Sequence, residues 1–238
     1  MKYEMPARIR LSETEQDGVL TLFHLINYLQ DASTFHAEDI KMGLDWSMKE
    51  GVAWVLASWQ LHIRRFPKLG ERAVIKTWPY SFRGFLGGRN YTMESVDGEV
   101  LVTANSEWVL MDLKKNRPAR VQEGLLELFG SVGEEKLQED FGPRKIAVEK
   151  DCAEREHFSI QEYHLDTNRH VNNGQYIRMA ENYLDEDFRP VHFRAEYKKQ
   201  AYLGDEVVPK VCRKEDGYQI ILESTGGEAY FIAEFLNQ

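Results

Sequence analysis

The sequence is poor in cysteine. Its 238 residues include only Cys152 and Cys212, which stand far apart along the chain. Neither has the paired spacing of a zinc site. Two isolated cysteines have no reason to form a disulfide in a reducing compartment, so we expect two free thiols without a chemical role.

Long apolar runs are also missing. The strongest apolar stretches, such as GVAWVLASW, are much shorter than the roughly 20 residues that a membrane-spanning helix needs. The N-terminal MKYEMPARIR contains no apolar core of signal-peptide length. We therefore expect no membrane span and a cytoplasmic location. With only seven prolines, 42% hydrophobic and 29% charged residues, the composition is typical of an ordinary folded protein.

Positive charge is in the minority, because the formal net charge is −9. Residues 1–130 hold 16 Lys and Arg against 17 Asp and Glu, whereas residues 131–238 hold 14 against 22. The acidic total and the lack of a reading motif argue against nucleic acid as a partner. The less acidic N-terminal half is where an acidic partner is expected to bind. Its cations form two clusters, which taken alone could be ordinary solvated turns: Arg64, Arg65 and Lys68, and Lys114, Lys115, Arg117 and Arg120.

Two pairs of similar segments indicate an internal duplication. FPKLGERAVIK (66–76) and QAYLGDEVVPK (200–210) share a Leu-Gly-acid core at an offset of 134 residues. Upstream of each, TEQDGV (14–19) aligns with DTNRHV (166–171), and a helical pattern follows both. From the valine to the Leu-Gly turn there are 50 residues in the first copy and 32 in the second, so the first copy carries about 18 extra residues.

Each copy predicts the same order of elements: a strand, a helix and four antiparallel strands. The helices are expected at about 20–40 and 173–185, and the leading strands at about 5–12 and 156–165. A single amphipathic helix must bury its apolar face, so the sheet has to curl around it, which is an α+β plan. We place an N-terminal domain at 1–125, a linker at 126–148 and a C-terminal domain at 149–238.

The start of the second helix is unusually polar. Asp166, Asn168 and His170 lie at i, i+2 and i+4, whereas our alignment of the first copy has Thr14, Gln16 and Gly18 in these places. A structural interpretation is available, in which Asn172 or Asn173 caps the helix and the preceding residues only form a turn. The contrast between the copies favours a functional interpretation, because a cap and a turn would work in either copy.

A carboxylate, an amide and an imidazole together are suited to water attack on an acyl group. His170 can act as the base near neutral pH, Asp166 can orient the imidazole or hold the water, and Asn168 can position water or substrate. The backbone N–H groups at 171–174 are expected to form an oxyanion site, which Gly174 would leave open to a ligand.

Two further sequence patterns could indicate a metal site and a phosphate site. A metal site built from His157, His164, Asp166 and His170 matches no standard ligand spacing, so we expect neither a metal nor a cofactor. RGFLGGR (83–89) could bind a phosphate, but a glycine-rich bend between strands explains it better.

The residues also resemble a known family. DTNRHVNNGQYI with AEYKKQAYLGDEV downstream, and ANSEWVLMDLKKNRPARV (104–121) in the first half, are similar to the acyl-acyl carrier protein thioesterases, the plant chain-terminating enzymes and their bacterial relatives. The similarity extends over almost the whole chain. It implies a tandem double hotdog, in which two curved antiparallel sheets each wrap around a long central helix.

The resemblance also implies an activity and its residues. The family hydrolyses fatty acyl thioesters of acyl carrier protein, and its catalytic Asp, Asn and His correspond to Asp166, Asn168 and His170. The plant enzymes have Glu-Cys where this chain has Gln200 and Ala201, so a cysteine nucleophile is excluded at that position. We therefore predict direct water attack, with Gln200 as an additional hydrogen-bonding group.

The family further implies that the first domain, whose own site is degenerate, holds the acyl chain. In this sequence the candidates are Leu22, Leu25, Ile26 and Leu29, although their helical spacing is better explained by plain core residues. The acidic carrier protein would dock on the Arg64, Arg65, Lys114 and Lys115 side. Two alternatives remain: a hotdog thioesterase that acts on coenzyme A esters, and a non-catalytic protein that binds acyl ligands. A homodimer is left open.

Overall fold

The computed structural model describes residues 2–123, 128–129, 136–166 and 169–237. The chain forms two compact units. The first comprises Met1–Ala57 and Arg64–Phe141, and the second comprises Ser58–Ile63 and Gly142–Gln238. Of the helices in the described ranges, none is both long enough and apolar enough to cross a membrane.

The first unit is an antiparallel sheet with one long helix. Its elements are β1 (Tyr3–Arg8), α1 (Leu22–Asp39), α2 (Leu44–Glu50), β2 (Val52–Ile63), β3 (Arg72–Arg83), β4 (Leu86–Ser95), β5 (Val100–Asp112) and β6 (Arg117–Pro118). The strand order is β1-β3-β4-β5-β2, and β6 pairs with β5. The final residues of β2, Ser58–Ile63, belong to the second unit.

Helix α1 begins at a side-chain cap and buries one face. The Thr21 hydroxyl accepts a hydrogen bond from the backbone N–H of His24 at 3.1 Å, which satisfies one of the free donors at the helix start. Its apolar residues recur at helical spacing and are at most 2% exposed: Leu22, Leu25, Ile26 and Leu29. This burial of a single face against the unit's sheet is what the sequence predicts.

The second unit repeats this plan with a shorter helix. Its elements are β7 (Ala153–Glu154), β8 (Phe158–Ser159), α3 (Asn173–Glu181), β9 (His192–Tyr197), β10 (Glu206–Lys214), β11 (Gly217–Ser224) and β12 (Ala229–Leu236). The strands run in the order β9-β12-β11-β10-β7, with β8 also on β10 and the Ser58–His62 part of β2 paired to β9. All these pairings are antiparallel.

The predicted α+β plan of antiparallel strands and few helices is confirmed, with two local differences. The leading strand expected at 156–165 was wrong, because only Phe158–Ser159 is a strand there. A 3-10 turn, Glu162–His164, takes up the rest, and the His164 imidazole accepts the Gln161 N–H at 3.0 Å. The second helix ends at Glu181 rather than 185.

The loops before α1 and α3 match residue by residue, but the structural alignment is shifted by one residue relative to our sequence alignment. An isolated bridge joins Thr14 to Leu20 in the first copy and Leu165 to Val171 in the second, an offset of 151. The left-handed residue of each loop obeys the same offset, since Gly18 has φ 74° and Arg169 has φ 62°. Aligning Thr14, Gln16 and Gly18 with the site was therefore wrong.

The corrected counterparts of Asp166, Asn168 and His170 are Glu15, Asp17 and Val19. The first copy keeps carboxylates but has no histidine in this loop. At the Leu-Gly turn the offset is 134 as predicted, and Gly70 and Gly204 have φ of 80° and 83°. The difference between the two offsets, 151 and 134, gives the first copy 17 extra residues, which include α2 and part of the longer α1.

Residues 142–152, here called the strap, form no long strand and are held by side chains of the second unit. The buried Gln219 binds the strap at two points: its amide donates to the Ala147 carbonyl at 2.8 Å and accepts from the Glu149 N–H at 2.9 Å. Gln60 donates to the Gly142 carbonyl at 3.1 Å. Ile146 packs into a small core cluster with Cys212, Ile221 and Ile232. Side chains thus satisfy strap backbone groups that have no sheet partner.

The strap ends in a disulfide between Cys152 and Cys212, so the expectation of two free thiols was wrong. β7 and β10 pair Glu154 with Lys210 and Ala153 with Val211. One step further along this register, Cys152 stands opposite Cys212, with their Cα atoms 4.2 Å apart. The pairing depends on strand register, which sequence separation does not reveal.

We expect reduction of this disulfide to destabilise the protein. Closing a loop of 60 residues removes chain entropy from the unfolded state worth about 4 kcal/mol, which corresponds to a melting temperature lower by about 10 °C in a chain of this size. Dithiothreitol should lower the melting temperature of the wild type. Cys152→Ala should have the lower melting temperature both with and without dithiothreitol. Equal melting of the oxidised wild type and the variant would contradict the bond's role.

Candidate active site

Among the described residues, three hydrogen bonds close the loop that carries Asp166 and His170. The Asp166 N–H donates to the His170 carbonyl at 2.8 Å, and the Arg169 N–H donates to the Asp166 carbonyl at 3.0 Å. The Asp166 carboxylate accepts the His170 backbone N–H at 3.3 Å. Arg169 holds a left-handed backbone, which costs a non-glycine residue roughly 1 to 2 kcal/mol. Such strain is common at functional sites.

The structure brings two of the predicted catalytic residues together. Asp166 and His170 are both half-buried. The Asp166 contact to His170 is with its backbone, so the carboxylate shapes the loop. Asn168 lies outside the described residues. Gln200 is exposed on the neighbouring loop, next to Ala201, whose carbonyl accepts the Val171 N–H at 3.2 Å.

The predicted oxyanion site at 171–174 was largely wrong, because the protein itself uses these donors. The Val171 N–H binds Ala201, the Asn172 N–H donates to the His164 carbonyl at 2.9 Å, and the Gly174 N–H donates to the Asn172 side chain at 2.8 Å. Asn172 is therefore the N-cap of α3, one of the two residues predicted. A good cap consumes the free N–H groups that a ligand would need.

Two tyrosines that the sequence did not single out lie at this site. The rings of Tyr202 and His170 meet edge to face, with centroids 5.2 Å apart and planes at 80°. The Tyr176 hydroxyl accepts the Ala201 N–H at 2.8 Å, and burial raises the pKa of Tyr176. The first unit shows the same juxtaposition, because Lys68, the counterpart of Tyr202, bridges to Val19, the counterpart of His170.

Comparison with known proteins identifies the family of this chain. The model of the acyl-ACP thioesterase N-terminal domain matches residues 1–129, and that of the acyl-ACP thioesterase C-terminal domain matches residues 147–233. The chain belongs to the acyl-acyl carrier protein thioesterase family.

Individual thioesterases of this family resemble the chain at moderate identity. A chloroplastic acyl-[acyl-carrier-protein] hydrolase of Cuphea viscosissima is 28% identical over 71% of this chain and 43% of its own length. A chloroplastic palmitoyl-acyl carrier protein thioesterase of Gossypium hirsutum is 30% identical over 71% of this chain and 44% of its own length. The chain therefore spans less than half the length of these two relatives.

A solved structure shows the fold. An acyl-ACP thioesterase from Bacteroides thetaiotaomicron superposes with a TM-score of 0.90 at 20% identity, covering 99% of this chain and 97% of its own. Agreement over nearly all of both chains places this chain in the fold of that acyl-ACP thioesterase.

Two histidines that the sequence offered as metal ligands, His157 and His164, contact protein groups. His157 lies 2.9 Å from Glu154 and 3.1 Å from Glu206. His164 is buried, which lowers its pKa together with the nearby Arg178 charge and keeps the imidazole neutral at pH 7. Within the described ranges, no three His, Cys, Asp or Glu side chains are arranged to hold a metal ion.

The glycine-rich segment of the first unit ends in a buried cation, Arg89. The bend expected in RGFLGGR (83–89) is confirmed at Gly84 and Phe85, which form the turn between β3 and β4 with Gly84 at φ 63°, whereas residues 86–89 belong to β4. Arg89, 7% exposed, donates to the Thr77 hydroxyl at 3.1 Å and lies 3.0 Å from the His36 imidazole. Burial, and next the Arg89 charge, lower the pKa of His36 to about 4, so this histidine is neutral at pH 7.

The Asp166 contact yields a prediction about loop stability. Asp166→Ala removes the acceptor of the His170 N–H and should lower the free energy of unfolding by about 1 kcal/mol. Asp166→Asn keeps an oxygen at that place and should retain most of the stability. Urea unfolding of both variants measures the difference, and equal losses would show that the hydrogen bond contributes nothing.

Proposed function

We propose that this chain hydrolyses medium- or long-chain fatty acyl thioesters of acyl carrier protein, releasing free fatty acid and the carrier and so ending fatty acid synthesis. The observation that carries the proposal is the match of both family domains to the chain, 1–129 and 147–233, together with the loop that holds Asp166 and His170. The two plant relatives are an acyl-[acyl-carrier-protein] hydrolase and a palmitoyl-acyl carrier protein thioesterase.

We propose a tandem double hotdog as the architecture that serves this reaction. Each unit has a sheet of antiparallel strands and one amphipathic helix, α1 or α3, which would be the central helices. The domains would be 1–125 and 149–238, joined by a linker at 126–148 whose last residues, from 142 on, belong to the strap and pack against the second unit. The first would bind the acyl chain and the second would carry the chemistry, since only the second has a histidine in its loop.

The reaction is a direct attack by water. His170 takes a proton from water as the oxygen bonds to the thioester carbonyl carbon, giving a tetrahedral oxyanion. Collapse of that intermediate breaks the carbon–sulfur bond, and the imidazolium returns the proton to the departing sulfur. Asp166 supplies negative charge beside the imidazolium, while Asn168 positions the water. Gln200, on the adjacent loop, is an additional hydrogen-bonding group for the substrate.

A cysteine nucleophile has no support in this chain. Positions 200 and 201 are Gln and Ala, and the two cysteines are joined to each other in the disulfide. Water attack needs only the base, a carboxylate and an amide, and these are the groups that the second copy contains.

Thiol release tests the activity and its rivals. Palmitoyl-acyl carrier protein and palmitoyl-coenzyme A are offered at equal concentrations, and we expect faster release from the carrier protein. A preference for coenzyme A would favour a hotdog acyl-CoA thioesterase. If the protein binds the palmitoyl thioesters but releases thiol from neither, a non-catalytic acyl-binding protein is favoured and the enzyme assignment is refuted.

The base is tested by His170→Ala. Loss of general base catalysis should lower kcat by roughly 10²- to 10⁴-fold. The control is His157→Ala, because His157 belongs to the same unit and is exposed with only carboxylate partners. His157→Ala should hydrolyse like the wild type. Wild-type turnover in His170→Ala would remove that residue from the mechanism.

For the carrier protein we propose docking at the second cationic cluster of the first unit. Arg65 is bound by Glu71 at 2.9 Å and Glu99 at 2.6 Å, and Arg64 lies 3.3 Å from Glu139, so carboxylates already pair with two of the three cations of the first cluster. In the second cluster, Lys115 pairs with Asp112 at 3.2 Å. Among the residues that the structure describes, no carboxylate pairs with Lys114, Arg117 or Arg120. These exposed cations fit an acidic carrier.

Charge reversal tests this docking surface. The double variant Lys114→Glu/Arg117→Glu should raise KM for acyl carrier protein substrates about tenfold at low salt and leave coenzyme A esters unaffected. The control double variant Arg64→Glu/Arg72→Glu changes the net charge equally but lies outside the cluster. Equal effects of the two double variants would refute a localised docking site.

We further propose that the chain works in the cytoplasm, where reducing conditions oppose the Cys152–Cys212 disulfide. It would act there either as a monomer or as a homodimer, and without nucleic acid. The acidic net charge of −9 supports the last point, because phosphate backbones bind basic surfaces.

A further inference from the structure

We propose that Tyr202 is a positioning residue that holds the imidazole of His170 in its working orientation. The inference rests on the proposed function, because it assigns Tyr202 a role through His170. It starts from the edge-to-face contact between the two rings, whose centroids are 5.2 Å apart.

The contact is made by the ring of Tyr202 and not by its hydroxyl. Tyr202 is 49% exposed, and among the described residues no hydrogen-bond partner is found for its hydroxyl. The ring therefore contacts His170 while about half of the residue's surface stays exposed. Edge-to-face pairs of this kind favour one arrangement about two- to tenfold, which is enough to decide how an otherwise mobile imidazole is oriented.

The backbone on both sides of Tyr202 is fixed by buried or anchored groups. The Tyr202 N–H donates to the Asp205 carboxylate at 3.0 Å, and the same oxygen accepts the Tyr230 hydroxyl at 3.3 Å. The preceding Ala201 is fully buried and held by the Tyr176 hydroxyl. Tyr202 thus projects from a rigid turn, as a residue that orients another must.

The first copy shows that the turn at position 202 can form without an aromatic residue. The same turn there is built by Lys68, whose N–H donates to the Glu71 carboxylate at 2.9 Å, as Tyr202 donates to Asp205. Lys68 also bridges to Val19, which stands where His170 stands. The scaffold is therefore complete with a lysine and a valine, so folding of the turn does not require an aromatic ring. The ring occurs in the copy that has the histidine.

His170 has no other described partner for its ring. The Asp166 carboxylate binds its backbone N–H. Among the described residues, the ring contact recorded for the imidazole is that with Tyr202. Removing the aromatic ring should consequently leave the loop intact and release the imidazole.

Four variants test the role. Tyr202→Ala and Tyr202→Lys remove the ring, the second by installing the residue of the first copy, and Tyr202→Phe keeps it. The matched control is Tyr163→Ala, because Tyr163 is an exposed tyrosine of the same unit whose ring meets that of another histidine, His164, at 4.3 Å. Melting temperatures confirm that each variant is folded.

Two measurements are made on every variant. The first is kcat and KM for palmitoyl-acyl carrier protein. The second is the proton–carbon NMR signal of the His170 ring, assigned from its loss in His170→Ala, which feels the ring current of a neighbouring aromatic. We expect Tyr202→Ala and Tyr202→Lys to lower kcat about three- to tenfold, with KM unchanged within about twofold, and to shift the His170 signal. Tyr202→Phe and Tyr163→Ala should match the wild type in both.

Other results would overturn the proposal. An unshifted His170 signal in Tyr202→Ala would show that the rings are not in contact. A rise in KM alone, or failure of Tyr202→Phe to preserve kcat, would assign Tyr202 to substrate binding instead. If the wild type hydrolyses neither thioester, the proposed function fails, and the NMR signal still decides whether Tyr202 orients His170.

Discussion

In the second unit, the backbone hydrogen bond from Val171 to the carbonyl of Ala201 ties the loop before α3 to the turn after β9. The first unit makes the same bond between Leu20 and Pro67. Because backbone groups form it, the bond survives almost any change of side chain. It therefore brings His170 close to Tyr202 in the second unit and Val19 close to Lys68 in the first. The side chains at these positions can differ without changing the backbone arrangement.

That constraint explains how the two halves of the chain can keep the same loop and turn with different side chains. Val19 and Lys68 preserve the loop and the turn, and Gly18 adopts the left-handed backbone without strain. Arg169 takes the same conformation at a cost, in the loop that carries Asp166 and His170. The strained residue thus occurs in the copy with the histidine, which is where a functional demand can justify it.

A second kind of constraint acts on the strap. Its backbone groups lack a sheet partner, so buried side chains such as Gln219 satisfy them, and the disulfide to Cys212 fixes its end. A buried amide that binds one residue through its oxygen and another through its nitrogen specifies a single path for the strap. Replacing it would leave polar groups unsatisfied, which costs more than the lost contacts themselves.

Periodicity and turn chemistry in the sequence by themselves determined most of the order of elements along the chain, the face of α1 that is buried, a helix cap at Asn172 or Asn173, the Leu-Gly turns and the residue types suited to water attack. These are local properties, because a helical stripe or a glycine turn depends on neighbours within a few residues. Tertiary structure alone decided the one-residue shift between the copies, the Cys152–Cys212 bond, the use of the N–H groups at 171–174 and the contact of Tyr202 with His170. Each depends on which strands lie side by side and in what register, and that is set by packing over the whole unit.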